Sequence, residues 1–308
     1  VDDRDVIRQY AMTTFPQLLR ASAHSAAMLV YLDQQLSRRG APNQNYAREI
    51  MELHTLGVNG GYTQTDVAEL SRVLTGWTQA GRGNFLFNPT LHDFGAKVVL
   101  GVNVPASSSG IGIAAQQEGE NMLTMLLTHP STATFVSTKL LKFFLRYDPS
   151  PTQIAAVAAA YTSTQGDIKA MLRVVLSKAN LTAAPAKYKR PYHLVISSVR
   201  ALGVAVANAG SLASQISTAG HAPFAWETPD GYPDTAEYWA GNILPRWNYA
   251  VFISNAASTT TLNFNVATIM TTPTAAAIVA NIDRLMFGGE MTQRLRDELS
   301  AYVAGSPT

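Results

Sequence analysis

Apolar residues recur at helical spacing from Asp5 to about Asp33 (Val6, Ile7, Tyr10, then Leu19, Ala23, Ala26, Ala27 and Val30), with Pro16 interrupting the run. A proline inside a helix removes a backbone donor and clashes with the preceding turn, so two helices are predicted there. A second periodic stretch, Asn45 to Leu56, stops at Gly57, which can take the left-handed cap, and Asn59-Gly60-Gly61 follows as a turn. Thr63 with Asp66 three residues on has the form of a capping box. Val67, Leu70, Val73 and Leu74 then give one apolar face to a helix ending near Gly76-Trp77, which completes a helix-turn-helix pair.

Between Gly81 and Val104 the pattern changes to short alternating runs, Phe85-Leu86-Phe87 and Lys97 to Leu100, broken by Gly and Pro. This predicts a small β-hairpin or extended excursion, followed by a flexible connector over Ser107 to Gly112. Helical periodicity returns at Gly119–Leu127, Pro130–Arg146, Gln153–Thr162, Asp167–Ala179 and Tyr192–Leu202, with Met122 and Met125 read as core. His221 to Tyr232, rich in Pro, Gly and aromatics, reads as an ordered loop held by packing, and two or three helices close the chain without internal repeat. The fold expected is mainly α, an irregular orthogonal helical array, with a β excursion at 84–101 inside a single helical domain over 1–308.

Composition narrows the function classes. With 308 residues and 47% hydrophobic content the chain can bury a sizeable core. Charged residues make up only 14%, so the surface is largely neutral and polar, as suits a secreted or densely packed protein. A net charge of +2, with Lys187, Lys189 and Arg190 as the only dense basic run, argues against a nucleic-acid partner. The absence of cysteine excludes disulfides, thiolate metal sites and cysteine nucleophiles. No apolar run has the ~18 residues of a membrane span. The opening Val1-Asp2-Asp3-Arg4-Asp5 lacks a signal-peptide pattern and reads as the start of a processed or truncated product.

Several strings carry a family resemblance. They are Asp3-Arg4-Asp5-Val6-Ile7-Arg8, the run from Asn45-Tyr46-Ala47-Arg48-Glu49 through Glu52-Leu53-His54 to Gly57, Gly61-Tyr62-Thr63-Gln64, and Leu74-Thr75-Gly76-Trp77. His92-Asp93 with Lys97, His129-Pro130 through Lys139, and Pro229-Asp230-Gly231-Tyr232-Pro233 leading to Trp239 extend the match over about residues 3 to 250. The chain thereby resembles the bacterial domain-of-unknown-function 1800 family. That resemblance implies an exported, extracytoplasmic protein and, by genetic neighbourhood, a sulfatase-like partner. The family pattern also extends upstream through a helical region with a Trp- and His-rich block, so the chain is expected to be the C-terminal, larger part of a longer domain, with an upstream fragment of the same domain as a partner.

The candidate chemistry lies in these strings. On an ideal helix Asn45, Arg48, Glu49 and Glu52 share one side, beside an apolar face of Tyr46, Ile50 and Leu53. The two carboxylates are placed for acid-base work or for a divalent metal, and equally for a structural salt-bridge network. His54 falls about 200° from Glu52, so a regular helix keeps them from one metal, and a hydrogen bond to a nearby loop is the expectation. His92 and Asp93 sit in the irregular segment where Lys97 can join them. His129 before Pro130 is expected to close a helix, its charge favouring the C-terminal dipole. Asp230, Tyr232 and Trp239 combine a turn with aromatics and read either as a sugar-binding cleft or as an anchored loop. Gly81-Arg82-Gly83 is too short to be a dinucleotide fingerprint, and no phosphate loop or nucleophile elbow is present.

Two functional readings follow. The first is an exported hydrolase-like enzyme acting on a cell-surface polymer, metal-assisted, with Glu49, Glu52, His92 and Asp93 as catalytic groups and Asn45, Arg48, Lys97, Asp230, Tyr232 and Trp239 binding substrate. The second is a non-enzymatic scaffold or interaction protein of an extracellular assembly, in which the same polar residues are structural.

Overall fold

Capping residues set most helix starts. In the computed structural model, which describes all residues except 1, 82, 108–111, 256–261, 264, 266, 268–271, 273 and 306–308, Thr14, Thr63 and Ser150 form capping boxes with Gln17, Asp66 and Gln153. Each satisfies two backbone donors that a helix N-terminus otherwise leaves unpaired. The connector read over Ser107 to Gly112 and Arg82 of the Gly81-Arg82-Gly83 string fall largely outside the described residues. The chain forms two compact units, Val1–Lys187 and Tyr188–Thr308.

In the first unit a π-helical turn, Asp3–Ile7, runs into α1 (Arg8–Tyr10). Then come α2 (Phe15–Ala23), α3 (Ala26–Tyr31), α4 (Gln44–Glu49) and α5 (Gln64–Val73). Pro16 lies in the first turn of α2, where its missing N–H costs nothing. Two hairpins follow. β1 (Trp77–Ala80) pairs antiparallel with β2 (Asn84–Phe87), Trp77 opposite Phe87, and β3 (Lys97–Val99) pairs with β4 (Val102–Val104), Lys97 opposite Val104. The β3–β4 turn places both Leu100 and Gly101 at positive φ, the geometry that matches strand twist in a two-residue hairpin loop. The unit continues with α6 (Gly112–Thr128), α7 (Pro130–Phe144), α8 (Pro151–Ser163), α9 (Ile168–Val175) and α10 (Lys178–Thr182).

The mainly α fold with small β excursions is as the periodicity predicts. The excursion is larger than expected, because Trp77–Ala80 is a strand. Gly76 turns the chain at φ 84°, where an added Cβ would stand 2.6 Å from the Asn88 carbonyl, so the backbone leaves α5 directly into β1. The predicted apolar face of α5 is buried in full, and Val67, Leu70, Val73 and Leu74 pack in one core with Leu29, Tyr46, Ile50, Met51 and Trp77. A second cluster under α7, α8 and α9 gathers Leu141, Val157, Met171 and Val175.

The second unit contains α11 (Pro191–Ala201), α12 (Gly210–Thr218), α13 (Ala236–Ala240) and α14 (Ile243–Asn255). It closes with α15 (Ala275–Ile282), a π-helical turn at Asp283–Phe287 and α16 (Gln293–Gly305). A two-strand bridge of β5 (Ala205–Val206) and β6 (Leu262–Asn263) joins distant segments. Its core is Val195, Leu212, Ile216, Tyr249, Ile253 and Leu262.

One contact fixes how α6 crosses the first unit. Gly119 faces the fully buried Trp77 indole, and a Cβ there would stand 2.3 Å from Trp77 Cζ2. Gly119→Ala is therefore expected to destabilise the first unit by about 1–3 kcal/mol through overpacking, read as a lowered urea midpoint. An unchanged midpoint would show that the helix shifts freely and that this contact sets nothing.

Candidate functional site

Thr75, just past the end of α5, organises the irregular segment. Its hydroxyl donates to the Arg72 carbonyl at 2.6 Å and accepts from the Asp93 N–H at 2.8 Å, while its carbonyl lies 2.8 Å from His92 Nδ1. A carbonyl only accepts, so the Nδ1 proton is fixed there. The His92 ring is completely buried, edge-on to Phe87 and Phe94 at centroid distances of 5.4 and 5.0 Å. Its Nε2 lies 3.3 Å from Glu118 Oε2, and the buried Lys97 ammonium lies 2.7 Å from the same oxygen. Ser107 donates to the other Glu118 oxygen at 2.9 Å.

Asp93 turns away from this centre. It takes the Arg72 guanidinium at 2.8 Å, and Arg72 also holds Glu69 at 2.9 Å. Glu69 and Asp66 accept the backbone N–H groups of Val98 and Leu100, fastening the β3–β4 hairpin to α5. On the far side of Gly119, Glu120 lies 2.9 Å from Arg20 and 2.7 Å from His24 Nε2. Burial works to raise all three carboxylates, yet Asp93, Glu118 and Glu120 end below the usual carboxylate range. Arg72 outweighs burial at Asp93, His92 and Lys97 do so at Glu118, and His24 and Arg20 do so at Glu120.

The polar side of α4 makes a separate group. Asn43 caps the helix, and after Glu49 the backbone widens into the π-helical turn Ile50–Thr55, with Leu56 N–H reaching the Met51 carbonyl at 2.7 Å and the Thr55 hydroxyl taking the Ile50 carbonyl at 2.7 Å. Arg48 donates to Gln64 at 2.7 Å, and the Tyr62 hydroxyl donates to Glu52 at 3.3 Å. Burial, and then the charge of Glu52, raise the Tyr62 pKa, with Glu49 and Arg48 also acting on it. Glu49 is buried and Asn45 is exposed. Among the described residues no hydrogen bond or ion pair joins Glu52 to His92 or Asp93.

His54 differs from its expected loop contact. It makes no hydrogen bond among the described residues and lines an apolar cavity, where burial lowers its pKa to about 4. His129 follows directly on the end of α6, as expected, and also caps the N-terminus of α7, its Nδ1 accepting from Ser131 N–H at 3.2 Å.

Asp230, Tyr232 and Trp239 lie together in the second unit. Asp230 accepts from Trp226 Nε1 at 3.2 Å, Tyr232 donates to the Ala222 carbonyl at 2.8 Å, and the buried Trp239 donates to the Pro233 carbonyl at 2.7 Å. His221 lies edge-on to Tyr232 at 4.5 Å and tilted against Trp239 at 4.9 Å, accepts from Tyr192 N–H, and has its pKa lowered to about 4, chiefly by burial. These bonds tie the loop down onto α11 and α13.

Glu118, Glu120, Arg72, Thr75 and His24 were not read from the sequence as site residues. A signal existed, since Glu118 and Glu120 are the only charged residues of α6. The donor set does not suit a divalent ion. Among the described residues no three His, Asp or Glu groups are placed to hold one, and Lys97 already neutralises the Glu118 oxygen beside His92.

The first unit is thus a helical body in which a buried His–Glu–Lys network fastens a β excursion to the core. Residues 1–308 match the family model described as protein of unknown function, DUF1800. The chain belongs to that family. No curated protein and no solved structure matches it. Among the described residues no helix is long and apolar enough to cross a membrane.

Breaking the network by Lys97→Met leaves the Glu118 carboxylate without its ammonium, and a loss of about 3–5 kcal/mol is expected in urea unfolding at neutral pH. The pH dependence has a definite sign. Carboxylates depressed in the folded state contribute stability that is complete above their ordinary values, ~3.9 for Asp and ~4.3 for Glu, and that disappears as pH falls below them. Wild-type stability should therefore fall through that acid range, less steeply in Lys97→Met. A variant as stable as wild type would remove the network from its structural role.

Proposed function

We infer that the protein is a non-enzymatic interaction protein of an extracytoplasmic assembly, docking through one face of α14. The observation that carries this reading is an apolar stripe on that helix. Ile243, Leu244, Trp247 and Val251 are 66%, 69%, 71% and 51% exposed, while Tyr249 and Ile253 on the opposite side fill the core of the second unit. Residues four apart lie on one side of a helix, so 243, 247 and 251 form a continuous row. A soluble surface rarely leaves such a row uncovered unless a partner covers it. The only charge of α14, Arg246, is withdrawn over the Tyr188 ring at 4.3 Å. The exposed Trp247 is of the residue type most enriched at interface hot spots.

Two partners are proposed from the family resemblance, a sulfatase-like protein and a fragment of the family's upstream helical region. The test is size-exclusion chromatography of the full chain with each. A stable complex is expected with at least one, weakened more than about thirtyfold by Trp247→Glu with Leu244→Glu while circular dichroism is unchanged. A complex indifferent to both substitutions would reject this face.

A hydrolase on a cell-surface polymer, with Glu49 or Glu52 as acid-base, is the second reading. It is favoured by the π-helical turn that begins directly after Glu49, a distortion frequent at functional sites. His92 and Asp93 support it less, because their hydrogen bonds are taken up within the protein. Glu52→Gln should then lower turnover of the polymer about a hundredfold or more with the fold intact. Full activity in that variant would end the acid-base assignment.

A further inference from the structure

The first unit contains a cavity of about 690 Å³ that none of the foregoing chemistry uses. Phe15, Leu19, Phe135 and Leu140 contribute to its walls, and the half-exposed Met12 and Phe144 line it as well, so it opens to solvent. Its size lies within the ~300–1,000 Å³ of pockets that bury most of a small ligand. It draws on several separate segments, from the N-terminal turn through α2, the π-helical turn, α7 and α9, which makes it a concavity for one compact ligand rather than a flat groove.

Four polar residues line it. Asp2 is engaged by the Ser25 hydroxyl. The other three, Ser22, His54 and Lys139, have no hydrogen-bonding side-chain partner among the described residues. Lys139 is exposed, and its ammonium lies over the Phe135 ring at 5.3 Å, in no ion pair among the described residues. His54 is held neutral at ordinary pH by its surroundings, so it presents one N–H donor and one acceptor nitrogen. An apolar cavity whose spare polar groups are one cation, one neutral imidazole and one hydroxyl, all able to donate, is complementary to an apolar chain ending in an anion.

We propose that this cavity binds a long-chain carboxylate, its alkyl chain among Phe15, Leu19 and Leu140 and its carboxylate paired with Lys139 and hydrogen-bonded by His54. The site lies wholly in the first unit and stands independently of the α14 face.

The test is isothermal titration of the full chain with dodecanoate and with dodecanol, both below micelle-forming concentrations. Saturable one-to-one binding of dodecanoate is expected, with dodecanol about fivefold weaker or more, the scale of one solvent-accessible charge pair. Lys139→Glu should weaken dodecanoate about tenfold while leaving dodecanol unchanged. His54→Phe should weaken both ligands and retain the fold by circular dichroism. Trp247→Glu should leave dodecanoate binding intact, which separates this site from the docking face. Absence of saturation, equal affinity for acid and alcohol, or indifference to Lys139→Glu would overturn the proposal. So would saturation of the cavity by an apolar helical peptide with no binding of dodecanoate.

Discussion

Placing a carboxylate and an ammonium inside a protein is costly, and the first unit does so at its centre. Glu118 and Lys97 lose most of their water, and the loss is offset only because Lys97, His92 and Ser107 together satisfy the two Glu118 oxygens. Each partner arrives on a different element. Lys97 begins β3, His92 follows the turn that Thr75 clamps, Ser107 lies beyond β4, and Glu118 comes from α6. The hairpin, the end of α5 and α6 must therefore be in place together. Gly119 brings the same helix against Trp77, so the charge network and the apolar core fix one and the same approach.

This constraint commits His92 and Asp93 to bonds within the protein. A general base or nucleophile needs an open approach and spare hydrogen-bonding capacity. His92 has neither, with one nitrogen on a backbone carbonyl and the other on a carboxylate. Asp93 is committed to Arg72, and Arg72 in turn to Glu69. The α4 stripe is more open, and the π-helical turn after Glu49 changes which residues share a face. Bonds from i to i+5 bring residues four and five apart into line, so spacing rules for a regular helix do not carry through Ile50–Thr55.

The features left uncommitted are apolar. The cavity beside His54 and the outer row of α14 expose large side chains whose burial would release ordered water, on the order of 1.5–3 kcal/mol for each side chain fully covered. They lie in different units, and each is the kind of surface through which a binding protein meets a ligand or partner.

Much of this was legible in the chain. The capping box of Thr63 with Asp66 and the apolar face from Val67 to Leu74 are local signals, since they concern atoms within one or two helical turns. The blocks around Glu49, Thr75 and His92 marked the family, and His92 with Lys97 does share a centre. What joins them, Glu118, was missed, because an acid on a helix gains its meaning only from partners brought up by segments more than 20 residues away. The strand at Trp77, the capping role of His129, the widened turn after Glu49 and the cavity around His54 belong to the same class. The sequence by itself determined the helices and their buried faces, because those depend on short-range hydrogen bonding and on periodicity. Tertiary structure alone decided which polar groups pair, since charge pairing acts through space between segments whose distance apart the order of residues does not specify.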